Sequence, residues 1–382
     1  MSKKGRADGD LTIDELMLLP AEVLRGRCEL MTEQFPSLKY LYDDAFLTKL
    51  SSRRTTENYL LFVLAQPNDA AAVGQMLELS RLLDFLKAEG SFEKFRTKFR
   101  HLSYSIYASA LSELHFAAWM KERHYHVVLE PPVGTKLVEF SASRGDLTLW
   151  FEVKSLQDLP DVKDADSVTA DVMQRLRRIE QPYALHIREA TLESANVAAL
   201  VRKMKKLFAA HFLAGGALPF TFEIDGLSIE ANATESENGG YLASSMGREY
   251  VFGDEHSDQA RRRIREAIRQ LPQGESGIVV IDRTNSTFMH DEDVMDACFG
   301  TESLRVMNGN FVNWRDADGA FRPDSNTRIS AVISYTRRFV GGPEYLILHN
   351  PFAARQLTPE ALGGPDVTQR RYNPAARSFV DF

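Results

Sequence analysis

The apolar positions of this chain change their period part-way along it. From about Leu11 to Arg100 they recur every three or four residues, the spacing that lines one side of a helix. "TIDELMLLPAEVL" opens with Thr12 and carries Glu15 three residues on, the spacing of a capping box. "AAAVGQMLELSRLLDFLKAEG" keeps the helical spacing and stops at Gly90, which suits the left-handed position after a helix. The pattern predicts a helical N-terminal region over 11–104, behind a polar tail at 1–10 that is expected to be disordered. Helical spacing runs on through "YASALSELHFAAWMKERHY" (107–125).

Past that point the period falls to two. "HVVLEPP" is a short strand pattern stopped by two prolines. "KLVEF" and "TLWFEVKSL" are two further strand patterns, flanking a turn at Arg144-Gly145-Asp146. In the second, Leu149, Phe151 and Val153 share one side, while Trp150, Glu152 and Lys154 share the other. "TADVMQRLRRIEQPYALHI" predicts a helix, a break at Pro182 and a strand. A helix in "ATLESANVAALVRKMKKLFAAHF" and a hairpin turning at Asp225-Gly226 follow, then a Gly- and Ser-rich loop near 233–256. "SDQARRRIREAIRQLP" reads as a helix, and "SGIVVIDRT" as a strand buried on both sides. "RISAVISYTRRF" and "EYLILHNP" add two strands. The alternation over 105–382 predicts an α/β (α+β) domain, a mixed sheet flanked by helices.

Composition adds bounds rather than detail. At 382 residues and 44% hydrophobic, the chain has material for a large core and two or three structural units. No apolar run is long enough to span a bilayer, and "MSKKGRADGD" lacks a signal-peptide core, so a cytoplasmic protein without a membrane partner is expected. Cys28 and Cys298 form neither a metal spacing nor a disulfide framework and are expected to be buried thiols. The formal net charge of −7 argues against a protein that coats nucleic acid non-specifically. It leaves room for a nuclease, in which an acidic metal site coexists with local basic patches. Such patches stand at 94–101, 202–206 and 261–265, each read first as the solvated side of a helix.

One short stretch carries chemistry through its neighbours. Chance places an acidic-x-Lys triplet roughly twice in a chain with 53 acidic residues and 14 lysines, and two occur, at Glu152-Val-Lys154 and Asp161-Val-Lys163. Only the first ends a strand pattern. Glu139 lies in the strand pattern before it, and the intervening turn would bring Glu139 near Glu152. Glu113 lies upstream among Leu111, Leu114, Ala117 and Ala118, where a carboxylate is costly unless paired or coordinated.

Helix with Glu, strand, strand with an acidic residue, turn, strand with Glu-x-Lys: over about 105–190 this order resembles the core of the PD-(D/E)XK nuclease superfamily, the restriction-endonuclease-like fold. The residues that carry it are "RHYHVVLEPPVGTKLVEFSASRGDLTLWFEVKSL". More loosely, "RRIREAIRQLPQGESGIVVID" and "LILHNPFA" resemble segments of uncharacterised bacterial members. The resemblance implies Mg²⁺-dependent phosphodiester hydrolysis, with Mn²⁺ as the alternative ion and DNA favoured over RNA. Glu139 and Glu152 would ligate the metal, with the Val153 carbonyl as a further ligand. Lys154 would hold or help deprotonate the attacking water and stabilise developing charge, and Glu113 would support the metal or its waters. Val138-Glu139 stands where the family has Pro-Asp, so the acidic side chain is one methylene longer. That departure keeps a second reading open, a cleavage-deficient relative that binds nucleic acid or serves assembly. A third is a structural protein in which Glu152 and Lys154 are an ion pair. A protein partner or a homodimer fits the family pattern.

Other candidates weigh less. Arg175, Arg177 and Arg178 follow the Glu-x-Lys strand and would reach a phosphate backbone, or equally form a solvated helix side. His115, His124 and His126 lack a common zinc spacing and read as surface histidines. Asp291, Glu292 and Asp293 read as the first turn of a helix, where the dipole favours acids. Trp150 reads as a packing residue before a base-stacking one. Asp282 ends a strand, but no Gly-rich phosphate loop accompanies it.

Overall fold

The computed structural model describes residues 21–46, 48, 70–101, 104–157, 183–188, 197–215, 220–224, 227–233, 255–286, 289–307, 310–338, 342–364, 366–376 and 378–382. The expected tail at 1–10, the Thr12–Glu15 capping box, the helix before Pro182 with Arg175, Arg177 and Arg178, and most of the polar loop lie outside the described residues. The chain divides into two compact units, one within Asp158–Gly253 and one built from Gly5–Gln157 together with Asp254–Phe382.

The larger unit begins with helices α1 (Ala21–Gln34), α2 (Ala70–Ala88), α3 (Phe92–Phe99) and α4 (Tyr104–Glu122). Strands β1 (His126–Leu129), β2 (Pro132–Val133), β3 (Lys136–Leu137), β4 (Phe140–Arg144) and β5 (Leu147–Gln157) follow. The smaller unit holds β6 (Tyr183–Arg188), α5 (Val197–Leu213), β7 (Phe220–Ile224) and β8 (Leu227–Ala233), the strands forming an antiparallel sheet in the order β6-β8-β7. The larger unit resumes with α6 (Glu255–Ile268), β9 (Ser276–Asn285), α7 (Asp291–Phe299), β10 (Glu302–Met307) and β11 (Asn310–Arg315). It ends with β12 (Ile329–Arg338), β13 (Gly342–His349), α8 (Pro359–Leu362), β14 (Val367–Asn373) and β15 (Ser378–Asp381).

The fold is mixed α/β, as the change of period predicts. Its sheet has eight strands in the order β1-β4-β5-β9-β12-β13-β14-β15. β5, β9 and β12 run parallel at the centre, and the pairs outside them are antiparallel except β13 with β14, which is parallel. Near-continuous burial along β9 follows from helices covering both sides. Ile278 and Val280 pack with Phe116, Ala117, Trp119 and Met120 of α4. Val279 and Ile281 pack with Ala260 and Ile264 of α6 and with Val294 and Cys298 of α7. Gly277, the second residue of this strand, has no room for a side chain, because a Cβ there would lie 2.6 Å from the Arg328 carbonyl oxygen. Both cysteines are free and buried.

α4 is apolar all round because it is a shared wall. Ala110, Leu111, Leu114 and Ala118 join the core of α1–α3, while Phe116 and Trp119 join the sheet core. Ser112, Glu113 and His115 in its middle are therefore buried and need partners. The expected surface placement of His115 is wrong for this reason, although His124 and His126 are exposed. Asp291, Glu292 and Asp293 do begin a helix, and the His290 N–H donates to Asp293 Oδ2 at 2.7 Å.

The strand predicted through "KLVEF" is displaced. Its ladder with β1 runs only from Leu129↔Phe140 to His126↔Ser143. Pro131 and Pro132 have no N–H to extend it, and Glu130 turns the chain at φ 50°. Glu139 thus stands one residue before β4, its carbonyl accepting from the Glu130 N–H.

Candidate active site

The β4–β5 hairpin sets the site by register. Arg144 pairs with Leu147 across Gly145-Asp146, and Gly145 takes φ 61°, a conformation a two-residue turn demands and glycine supplies. Phe140 then meets Phe151, the rings stacked at 4.4 Å and both fully buried. Burying two such rings contributes on the order of 2 kcal/mol each and locks the pairing. Glu139 and Glu152 are the next residues outward from this pair, so the register brings them together.

Lys154 joins them. Its Nζ lies 2.8 Å from Glu152 Oε2 and 3.5 Å from Glu139 Oε1. Glu152 is fully buried, and the side chains of Lys154 and Glu139 are 16% and 23% exposed. The other Glu139 oxygen, Oε2, accepts from the Val153 backbone N–H. Val153 therefore enters the cluster through its amide. Trp150 packs against the α6 and α7 core, as expected.

Glu113 reaches the cluster from α4. It is 5% exposed, and its Oε2 lies 3.1 Å from the Nζ of Lys98 on α3. Lys98 also meets Glu130 Oε1 at 3.2 Å. Sequence reasoning missed Lys98, placing it in a solvated basic stretch. The usable signal was its position beside Phe95 and Phe99, both fully buried, which carries the lysine stem to the rim of a packed surface. The rest of that stretch is tied to acids too, Arg96 and Arg100 to Asp43 and Lys94 to Glu130.

Burial dominates the electrostatics. It pushes Glu113 up to about 7, with Lys98 opposing and Glu130 and Glu152 adding to the rise. It pushes Glu139 up to about 8, with Lys154 opposing and the Glu152 and Glu113 carboxylates adding. Glu152 is raised by burial, against Lys154 and the Glu139 amide. Burial lowers Lys154, but Glu139 and Glu152 outweigh it and hold the ammonium above the ordinary lysine range. All four residues singled out in the sequence thus share one electrostatic neighbourhood.

Whether these residues suit a divalent cation turns on two observations. Glu113 Oε1 and Glu152 Oε1 are buried carboxylate oxygens without a hydrogen-bond partner, and an all-oxygen donor set suits Mg²⁺. Against this, both Glu139 oxygens are engaged, and no group of three or more His, Cys, Asp or Glu is arranged to hold an ion among the described residues. Glu113 and Glu152 are the residues whose oxygens fit the ion.

Compared with known proteins, the chain matches no family model, no curated protein and no solved structure. Among the described residues, no helix is long and apolar enough to cross a membrane.

Proposed function

We propose that the protein is a Mg²⁺-dependent nuclease of PD-(D/E)XK type, acting on DNA in preference to RNA. The observation that carries the reading is the pair of unpartnered, buried carboxylate oxygens on Glu113 and Glu152 beside an ammonium held charged by Glu152 and Glu139. Buried acceptors without donors are costly, and a cation relieves the cost. Glu152 and Glu113 would hold the ion, which supplies an activated water and charge neutralisation at the phosphate. Glu139 joins them if it releases the Val153 N–H. Lys154 keeps its proton between two carboxylates, so its part is to orient the water and offset negative charge developing on the phosphoryl oxygens. The engaged state of Glu139 favours a second reading, a nuclease-fold protein that binds nucleic acid without cutting it.

The test combines cleavage and ion binding. Plasmid and single-stranded DNA are incubated with Mg²⁺ or Mn²⁺, using the wild type, Glu152→Ala and Lys154→Ala. Metal-dependent cleavage that falls by about 10² or more in both variants supports the nuclease. Cleavage at the wild-type rate in either variant sinks the mechanism. DNA binding with no cleavage under either ion selects the second reading. Mg²⁺ should raise the wild-type melting temperature and leave Glu152→Gln unchanged.

A further inference from the structure

A cavity of about 470 Å³ opens between α2, α4, β12 and β13, and among the residues lining it are Glu78, His115, Trp119, Tyr335, Arg337 and Tyr345. Its volume lies within the range of small-molecule sites. Its floor is a fixed polar chain. His115 is 7% exposed, with Nδ1 2.8 Å from Glu78 Oε1 and Nε2 2.7 Å from the Tyr345 hydroxyl. A carboxylate only accepts, so His115 donates from Nδ1 and accepts the Tyr345 O–H at Nε2. Arg81 grips the same Glu78 through two nitrogens at 3.0 Å. The walls are aromatic and mutually packed, with Trp119 stacked on Tyr345 at 5.3 Å and Tyr335 5.2 Å from Tyr345.

What the cavity leaves unspent is donors. Arg337 gives Nε to the Tyr335 hydroxyl at 3.3 Å and has no carboxylate within ion-pair distance among the described residues. Trp119 is 3% exposed, and its indole N–H has no partner. Arg123, whose guanidinium lies 3.7 Å from the Trp119 ring, is paired with Asp366 but leaves its Nε–H unpartnered. The acids at the rim, by contrast, are engaged: Glu78 and Glu122 by Arg81, and Asp366 by Arg123.

We propose that this cavity binds a small organic anion, a flat and largely apolar body carrying one carboxylate or phosphate monoester. The aromatic walls suit the flat body. Arg337 suits the anionic head through its charge, and the Trp119 N–H is a buried donor without an acceptor, whose desolvation cost an anion that reaches it removes. Arg337 is the lining guanidinium with no carboxylate within ion-pair distance among the described residues, Asp282 and Glu78 acting on it only from farther off, and this suits a single anionic group.

Two probe series separate the sources of that head, the four nucleoside 5′-monophosphates and a set of aromatic carboxylates including benzoate and indole-3-acetate. Calorimetry and thermal shift are measured on the full chain with chelator present. Saturable binding by either series is the expected result, and the series that binds identifies the head group. Arg337→Gln should weaken the dissociation constant about tenfold or more, and Trp119→Phe, which keeps a ring and removes the donor, about threefold. Far-ultraviolet circular dichroism confirms that each variant folds. If neither series binds at about 10 mM, or if both folded variants bind as tightly as the wild type, the assignment is overturned. Metal-dependent DNA cleavage is read in parallel on Arg337→Gln and should not change, so loss of one reading does not carry the other with it.

Discussion

α4 serves two buried sites whose needs are opposite. On one side Glu113 joins a cluster rich in acceptors, where Glu113 Oε1 and Glu152 Oε1 have no donor. On the other, His115 floors a cavity in which donors are left over, the Trp119 N–H, the Arg123 Nε–H and Arg337. The first group calls for a cation and the second for an anion. A buried polar residue two positions from another can thus belong to a different chemistry, because successive residues of a helix face different neighbours. Partnering differs as well. His115 has both ring nitrogens bonded, whereas Glu113 is held on one oxygen alone.

The largest expected effect tests the first site. Glu152→Ala or Lys154→Ala should lower metal-dependent cleavage about 10² to 10⁴-fold per folded molecule, and because each leaves its buried partner unpaired, a loss of stability of about 3 kcal/mol in chelator should accompany it. A loss of cleavage that merely follows a loss of folded protein would place the pair with structure instead. Next in size is His115→Ala. It strips partners from Glu78 and Tyr345 and opens a hole among Phe116, Tyr335 and Tyr345, so destabilisation by about 3 kcal/mol is expected in urea titrations. A cost under about 1 kcal/mol would mean that the floor of the cavity is not a tied network.

The two sites should also respond to pH with opposite sign. Burial lowers His115, helped by Arg337 and Arg81 and opposed by Glu78. The unfolded chain therefore takes up the proton first, and this term costs stability as pH falls through 6.5. Glu113 is raised from 4.5 to about 7, so the folded chain keeps a proton that the unfolded chain has lost. That contribution is favourable on the acid side and fades as pH rises from 4.5 through about 7. Glu113→Gln should accordingly gain about 1–3 kcal/mol relative to wild type at pH 8 in chelator, and nothing near pH 4. Melting curves across that range decide it, and an equal gain at both ends would remove the electrostatic explanation.

Much of this was legible beforehand, in a definite order. Change of period exposed the helical start and the mixed sheet, since burial on one side or both writes directly into residue spacing. The Glu152-Lys154 pair and its proximity to Glu139 were legible because a two-residue turn fixes antiparallel register. His115 was not, because its neighbours Glu78 and Tyr345 stand 37 and 230 residues away, and no local spacing encodes them. Glu139's engagement with the Val153 amide was hidden for a related reason. It depends on where the β1 ladder stops, which Pro131 and the turn at Glu130 decide.

Lys98 gives the smallest and most discriminating expectation. It is the cation that now answers the excess of acceptors, bridging Glu113 and Glu130 from α3, its stem carrying the ammonium to 4.5 Å from the centre of the Phe95 ring. Lys98→Met keeps that stem and removes the charge. Glu113 then loses the main group opposing its rise, so its proton should be held to higher pH and the Glu113→Gln gain at pH 8 should grow. In the presence of Mg²⁺ the ion replaces the missing ammonium, and the stability difference between Lys98→Met and wild type should shrink by about 1 kcal/mol. Cleavage should change less than about tenfold, because Lys98 acts on Glu113 and not on the phosphate. A Mg²⁺ response identical in the two proteins would show that Glu113 and Lys98 form a self-contained ion pair, and it would leave the ion to Glu152, with Glu139 joining only on release of the Val153 N–H.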